Sequence, residues 1–288
     1  MFEPYILRAL NLPVHVLGFE HKALLDQIFA GVRMIPTICK CINGVIYDKE
    51  MNLIDLNRAF ELLKDFDSVC VKKTYFSSRG TGVKRLDCRN LTIESLKQFL
   101  REFGENFLVQ EVLEQYPKLA ALSKGSLNTF RISTLYINGV CSVCTIISRI
   151  GRGNSFVDNG FAGNIFVGVE ESGKYAPVGY DIKSNEYKQT DTGVAFSDFK
   201  LEEIKDLVEE VKKLHVKYLP HCGFCGWDFS LDKSGQWTMV EVNLYAPSVD
   251  IEQIGPHKPL FGDRTEEVID YVNKHQPSVL AITTSLGI

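Results

Sequence analysis

The chain of 288 residues is 45% hydrophobic and 24% charged, and its 32 basic against 36 acidic side chains leave a net charge of −4. That balance provides no large positive field to release counterions from a polyanion, so nucleic acid is not an expected partner. At this length one large domain or two ordinary ones can bury an adequate core without cross-links.

The N-terminus, Met1-Phe2-Glu3-Pro4, carries an acid where an export signal carries Lys or Arg, which argues for a cytoplasmic protein. Residues 1–36 read as mainly helical, with Leu24, Leu25, Ile28 and Phe29 at helical spacing over 22–32 and Pro36 closing the segment. Strands at 37–42 and 45–47 flank Asn43-Gly44, which tolerates the positive φ angles of a type I′ turn. Helices follow at 54–66 and 91–103, with a strand at 68–73 between them and another at 107–110. Beyond that point strands dominate. Residues 131–137 and 140–150 flank Asn138-Gly139, the strongest hairpin signal in the chain. The clearest helix spans 201–219, with Leu207, Val211 and Leu214 on one stripe. Strands 227–231 and 237–243 are joined by the polar turn Asp232-Lys233-Ser234-Gly235. No run reaches the roughly 18 apolar residues of a spanning helix. Eight cysteines without an export signal are expected as reduced thiols.

Five groups of residues carry candidate chemistry. Lys72 and Lys73 end a strand before Ser77-Ser78-Arg79-Gly80-Thr81-Gly82-Val83, and a lysine beside a Gly/Ser loop suits phosphate oxygens. The order is not that of a Walker loop, and a solvated turn accounts for the same residues. Along strand 237–243, Glu241 and Asn243 share a face, and pairing through the 232–235 turn brings Asp228 beside them. An all-oxygen set of this kind suits Mg²⁺, while the polar side of an edge hairpin explains it equally. Arg131 and Arg149 stand in apolar strands and each wants an anion from the protein or from a ligand. Residues 151–163 form a glycine-rich loop directly after Arg149. Cys141-x-x-Cys144 and Cys222-x-x-Cys225 invite a zinc reading, but residues i and i+3 of an extended strand point to opposite faces, which favours buried thiols.

The order of these groups resembles the ATP-grasp superfamily. Ser126-Leu127-Asn128-Thr129-Phe130-Arg131, Val157-Asp158-Asn159, Gly226-Trp227-Asp228 and Glu241-Val242-Asn243 resemble its sugar-transfer-associated, glutamate-ligase-like branch over roughly residues 20–262. The resemblance implies an α+β fold in which two α+β subdomains clamp ATP. These are a small one at 50–110 and a large one at 111–288, preceded by a helical segment and hairpin at 1–49. It assigns the phosphates to Lys72, Lys22 and the loop of Ser78, Gly80 and Gly82. Adenine goes to Glu111 with the backbone of Val112 and Leu113, and ribose to Glu114. Magnesium goes to Asp228, Glu241 and Asn243. Arg149 receives the γ-phosphate and a later oxyanion, with Arg131 sharing that work or orienting the acceptor carboxylate. Lys73 stands where many relatives have proline, which leaves open which lysine faces the phosphates.

The implied activity is an ATP- and Mg²⁺-dependent carboxylate–amine ligase. A carboxylate does not react with an amine at neutral pH, so ATP first converts it to an acyl phosphate, a step that needs positioning and charge neutralisation. The expected substrates are small: an amine or amino acid, and a sugar (uronic acid) carboxylate, free or carried on a nucleotide or lipid, in surface-polysaccharide synthesis. A phosphotransferase of the same fold and a non-catalytic nucleotide-binding subunit are the alternatives.

Overall fold

Both Asn-Gly turns form as read: Asn43 and Gly44 take φ of 51° and 80°, and Asn138 and Gly139 take 54° and 77°. The computed structural model describes residues 2–74, 82–153, 163–245 and 247–286. From the N-terminus, α1 (Phe2–Leu10), α2 (Pro13–Val16) and α3 (Leu25–Ile28) precede the hairpin of β1 (Thr37–Ile42) and β2 (Val45–Asp48). Next come α4 (Leu56–Leu63), β3 (Ser68–Lys73), β4 (Val83–Asp87), α5 (Ile93–Phe103) and β5 (Phe107–Glu111). After α6 (Pro117–Ala120) the chain enters β6 (Thr129–Ile137), β7 (Val140–Ile150), β8 (Ile165–Gly168), β9 (Gly179–Tyr180) and β10 (Glu186–Tyr187). It ends with α7 (Ile204–Tyr218), β11 (Phe224–Leu231), β12 (Trp237–Asn243), α8 (Val249–Ile254) and α9 (Thr265–Leu286). Among the described residues no helix is long and apolar enough to cross a membrane.

Two antiparallel sheets result. The smaller runs β2-β1-β5-β3-β4 and is covered on one face by α4 and α5, whose apolar stripes meet Val69, Val71, Phe107 and Val109 in a closed core. Both helices begin on side-chain caps: the Asp55 carboxylate accepts from Arg58 N at 2.8 Å, and Thr92 with Ser95 forms a capping box. The larger sheet runs β10-β9-β8-β7-β6-β11-β12, with α7 packed against β6 and β7 over Leu207, Val211, Phe130 and Trp227.

The expected segmentation at residue 49 is corrected by the topology. The β1–β2 hairpin is not part of an N-terminal segment; β1 pairs with β5 inside the smaller sheet. The helices before it belong with the larger sheet. Ile6, Leu7 and Leu10 pack on Leu135, Phe224 and Val268, and Phe29 meets the Trp227 ring at 5.8 Å. Asn11 is buried, donating to Phe224 O and Leu244 O and accepting from Phe224 N. The helix expected over 22–32 is a short 3-10 turn followed by the four residues of α3, and Gly31, at φ 87°, turns the chain out of it. Residues 33–36 then staple the two sheets together. Arg33 O accepts from Met239 N of β12 at 2.9 Å, while Ile35 O and Pro36 O accept from Gln110 Nε2 and Glu111 N of β5, each at 3.0 Å.

Candidate active site

Alternation along β3 puts the two lysines on opposite faces of the smaller sheet. Val69 and Val71 point into the core beneath α4 and α5, so Lys73 shares their face, its ammonium 6.0 Å from the Phe103 ring centre. The stem of Lys73 also lies against Gly82, where an added Cβ would sit 3.1 Å from Lys73 Cβ and φ is +89°. Lys72 therefore faces the other way, beside Cys70 and opposite Leu108 of β5. This cleft face of the smaller sheet also carries Lys40 and Gln110. Lys40 is wholly buried and committed: its ammonium donates to Ala23 O at 2.8 Å and to both oxygens of Asp26 at 2.9 and 2.8 Å.

Gln110 is 3% exposed, and with its amide nitrogen held by Ile35 O its Oε1 is left without a hydrogen-bond partner. Glu111 stands opposite Val69 in the register, which places its side chain on the α4–α5 side of the sheet rather than in the cleft. Val112 and Leu113 follow β5 as half-buried chain outside any regular element. Glu114 is at the surface, accepting from Lys233 at 3.0 Å with both side chains about 70% exposed. Ser78 and Gly80 lie outside the described residues.

Across the cleft, β11 and β12 supply the carboxylates. Asp228 and Glu241 are direct cross-strand partners, and Asn243 Nδ2 donates to Asp228 Oδ2 at 3.3 Å. Lys22 reaches this sheet from the N-terminal segment, its ammonium 2.9 Å from Glu241 Oε2. Burial by itself pushes the Glu241 carboxyl up, but Lys22, Arg149 and Lys72 outweigh it and hold the group below the ordinary carboxylate range. Two arginines grip the fully buried Asp228. Arg131, its register partner on β6, binds through Nε at 2.5 Å and Nη2 at 3.0 Å, and Arg149 places Nη2 3.0 Å from Oδ2. Arg149 is anchored by its own Nε, which donates to Thr129 Oγ1 at 2.8 Å, and remains 15% exposed. Arg131 is only 3% exposed, and its third nitrogen, Nη1, meets Glu252 of α8 at 3.3 Å.

A scan against family models matches residues 4–268 to the sugar-transfer associated ATP-grasp model. The chain belongs to the sugar-transfer associated ATP-grasp family. Its two antiparallel units, with helices before the first strand, are the α+β ATP-grasp fold expected from the sequence. Solved structures agree on that fold. D-alanyl-alanine synthetase A from Vibrio cholerae O1 biovar eltor superposes with a TM-score of 0.52 at 13% identity, over 91% of this chain and 66% of that one. The biotin carboxylase–ATP analogue complex from Campylobacter jejuni gives 0.55 at 12%, over 90% and 47%. The ATP-grasp ligase PsnB with its minimal precursor gives 0.52 at 10%, over 91% and 63%. The chain thus spans about half to two thirds of the length of these structures. No curated protein sequence matches it significantly.

In this ATP-grasp chain the oxygen donors Asp228, Glu241 and Asn243 suit a hard dication. Among the described residues no group of three or more His, Cys, Asp or Glu is placed to hold a metal by itself. The entry to the glycine-rich loop is fixed. Gly151 packs where a Cβ would fall 1.7 Å from Ser126 Oγ, and Arg152 donates to Asp191 at 2.9 Å and to Tyr187 at 3.1 Å. Residues 154–162 of that loop lie outside the described residues. All eight cysteines are free, and Cys144 is the extra residue of a bulge in β7. Cys225 Sγ lies 3.3 Å from His215 Nε2 in the core.

Four residues of the site are new relative to the sequence reading. Gln110 was within reach of it, because the alternation of Phe107 and Val109 already assigns Gln110 to the opposite face. Lys40 offered the same signal from Cys39 and Cys41. Glu20, which accepts from the Leu244 and Tyr245 amides just after Asn243, and Glu252 gave none, since each meets partners more than a hundred residues away.

Proposed function

We propose that this ATP-grasp chain is a cytoplasmic, ATP- and Mg²⁺-dependent carboxylate–amine ligase. It forms an amide through an acyl phosphate, joining an amino acid or amine to a sugar (uronic acid) carboxylate in surface-polysaccharide synthesis. The observation that carries the proposal is the opposition of charge across the cleft. Lys72 faces it from one sheet, Asp228, Glu241 and Arg149 from the other, and Lys22 pairs with Glu241. The sugar acceptor rests on the family's description alone.

In this reading Gln110 Oε1, a buried acceptor, receives the adenine amino group, with backbone groups of Glu111, Val112 and Leu113 completing the hinge. Glu114 exchanges its weak surface partner Lys233 for the ribose. Lys22 and Lys72 neutralise the phosphates together with the loop of Ser78, Gly80 and Gly82. Asp228, Glu241 and Asn243 hold Mg²⁺, which when bound neutralises charge on the transferring phosphoryl group. Arg149 has an exposed edge and two fixed contacts, so it meets the γ-phosphoryl group and then the tetrahedral oxyanion without reorganising. The acceptor carboxylate attacks phosphorus, ADP leaves, the amine attacks the acyl carbon, and phosphate departs with the proton balance closed by solvent.

Release of ADP and phosphate over a grid of amino acids crossed with uronic-acid and amino-acid acceptors tests this directly. A ligase turns over only with both partners present. Acceptor labelled with ¹⁸O in its carboxyl group delivers one label to the released phosphate. Label retained in the product, or a stable phosphorylated acceptor formed without amine, sinks the proposal.

A further inference from the structure

Glu252 has none of the roles proposed above, yet it is a fully buried carboxylate that reaches the site through Arg131. Its Oε1 accepts from Arg131 Nη1 at 3.3 Å, and its Oε2 accepts the hydroxyl proton of Ser133, which is also fully buried. Arg131 fills its remaining edge with Asp228. The floor of the carboxylate site is therefore a chain of Glu252, Arg131, Asp228 and Arg149, two acids and two guanidiniums whose formal charges cancel; burial pushes the Glu252 carboxyl up, and Arg131 and the Ser133 hydroxyl oppose that rise. Gly226 leaves room for it, since a Cβ there would lie 3.3 Å from Arg131 Cδ and 3.4 Å from Nη1.

We infer that Glu252 is a positioning residue for the metal carboxylate Asp228, acting through Arg131, and that Arg131 does not touch substrate. The argument is one of charge and direction. With Glu252 in place, Arg131 is shared between two carboxylates, and Asp228 keeps enough negative charge to accept a dication despite its two arginines. Without that charge the four-residue chain becomes cationic, the whole demand of Arg131 falls on Asp228, and a dication approaching Asp228 meets net repulsion in a poorly screened site. The hydroxyl of Ser133 fixes which way the carboxylate of Glu252 points, and so which way Arg131 presents its fork. The inference rests on the nucleotide–metal reading proposed above.

The test measures Mn²⁺ binding by the loss of its free-ion EPR signal, with a non-hydrolysable ATP analogue present. Glu252→Gln keeps size and the acceptor for Arg131, with its amide NH₂ donating to the Ser133 hydroxyl instead, while removing the charge, and it should weaken Mn²⁺ at least about tenfold. Arg131→Gln/Glu252→Gln restores neutrality and should recover affinity to within about threefold of wild type, the signature of an interaction between the two sites. Ser133→Ala keeps every charge, folds independently of how Glu252→Gln behaves, and should cost about threefold through lost orientation. A merely structural Glu252 would lower the melting temperature of these variants and leave Mn²⁺ affinity of the folded protein unchanged. Unchanged affinity in Glu252→Gln and Ser133→Ala, or failure of the double variant to recover, overturns the inference. Wild type that binds neither analogue nor Mn²⁺ overturns the proposed function along with it.

Discussion

The two faces of the cleft are built on opposite principles. On the smaller sheet, Lys72 has no ion-pair partner in contact among the described residues and Gln110 presents an unused acceptor. On the larger sheet, the charged groups gathered at the site are already paired: Asp228 with two arginines and Asn243, Glu241 with Lys22, and Arg131 with Glu252 as well. The open face is suited to recognise an incoming ligand, because its groups gain partners on binding. The closed face is suited to hold a geometry, and ligand binding there exchanges partners rather than supplying them. Substitutions on the two faces should therefore fail in different ways, stability on one side and affinity on the other.

The largest effect is expected at the most heavily paired group. Asp228→Ala leaves Arg131 buried with one counter-charge lost and should cost about 3–5 kcal/mol in urea unfolding, as removal of one member of a buried ion pair does. A loss as small as that of Lys72→Ala, expected below about 1 kcal/mol, would erase the distinction between the faces.

A second, smaller effect separates the two units by acid. In the core behind β11, Trp227 Nε1 donates to Thr134 Oγ1 at 2.8 Å, Thr134 contacts His215 Nδ1 at 2.7 Å, and His215 Nε2 faces Cys222 O at 3.0 Å. A carbonyl only accepts, so Nε2 carries a proton. Burial lowers the His215 pKa from 6.5 to about 4. The unfolded chain binds this proton first as pH falls, so the contribution is complete above about pH 6.5 and is lost between there and about pH 4, by roughly 3 kcal/mol. Chemical denaturation across that range should show the larger unit weakening, and His215→Asn should flatten the slope. An unchanged slope in a folded variant would place the acid sensitivity elsewhere.

On the open face, Lys72→Ala should leave folding nearly intact and weaken ATP by at least tenfold, or ~1.4 kcal/mol, in calorimetry. Lys73→Ala, on the helix side of the same strand, should change affinity by less than about twofold, or ~0.4 kcal/mol. A reversed order would mean that β3 binds with its other face. The smallest effect belongs to Glu114→Gln. Breaking its exposed pair with Lys233 should move stability by no more than about 0.5 kcal/mol, so any larger loss of ATP affinity reports ribose contact rather than the surface pair.

What the sequence made legible followed from short-range geometry. Asp228, Glu241 and Asn243 were readable because a two-residue period and one polar turn place them together, and the bulge at Val240 lies outside the Glu241–Asn243 interval. Both Asn-Gly hairpins were readable from turn chemistry alone. The sheet to which the first hairpin belongs was not, because its pairing with β5 joins residues some seventy positions apart. Arg131 and Arg149 were seen to need anions, but that the same Asp228 serves both depends on the pairing of β6 with β7 on one side and β11 on the other. Glu252 was invisible for a related reason. A glutamate in a six-residue helix has the appearance of surface until tertiary packing shows it under a sheet.

The ion pairs of Lys22 and Asp26 have a mechanical consequence. Lys22 is fastened to Glu241 of the larger sheet, and Asp26, four residues later, to Lys40 of the smaller. Four residues of extended chain reach about 14 Å at most, and this stretch is coiled and shorter. While both pairs hold, the sheets are leashed at that distance on the side of the cleft where the phosphates are proposed to lie. A ligand that draws Lys22 away from Glu241 would undo this tie, while the backbone hydrogen bonds of residues 33–36 would still hold the two sheets together at the other end of the segment.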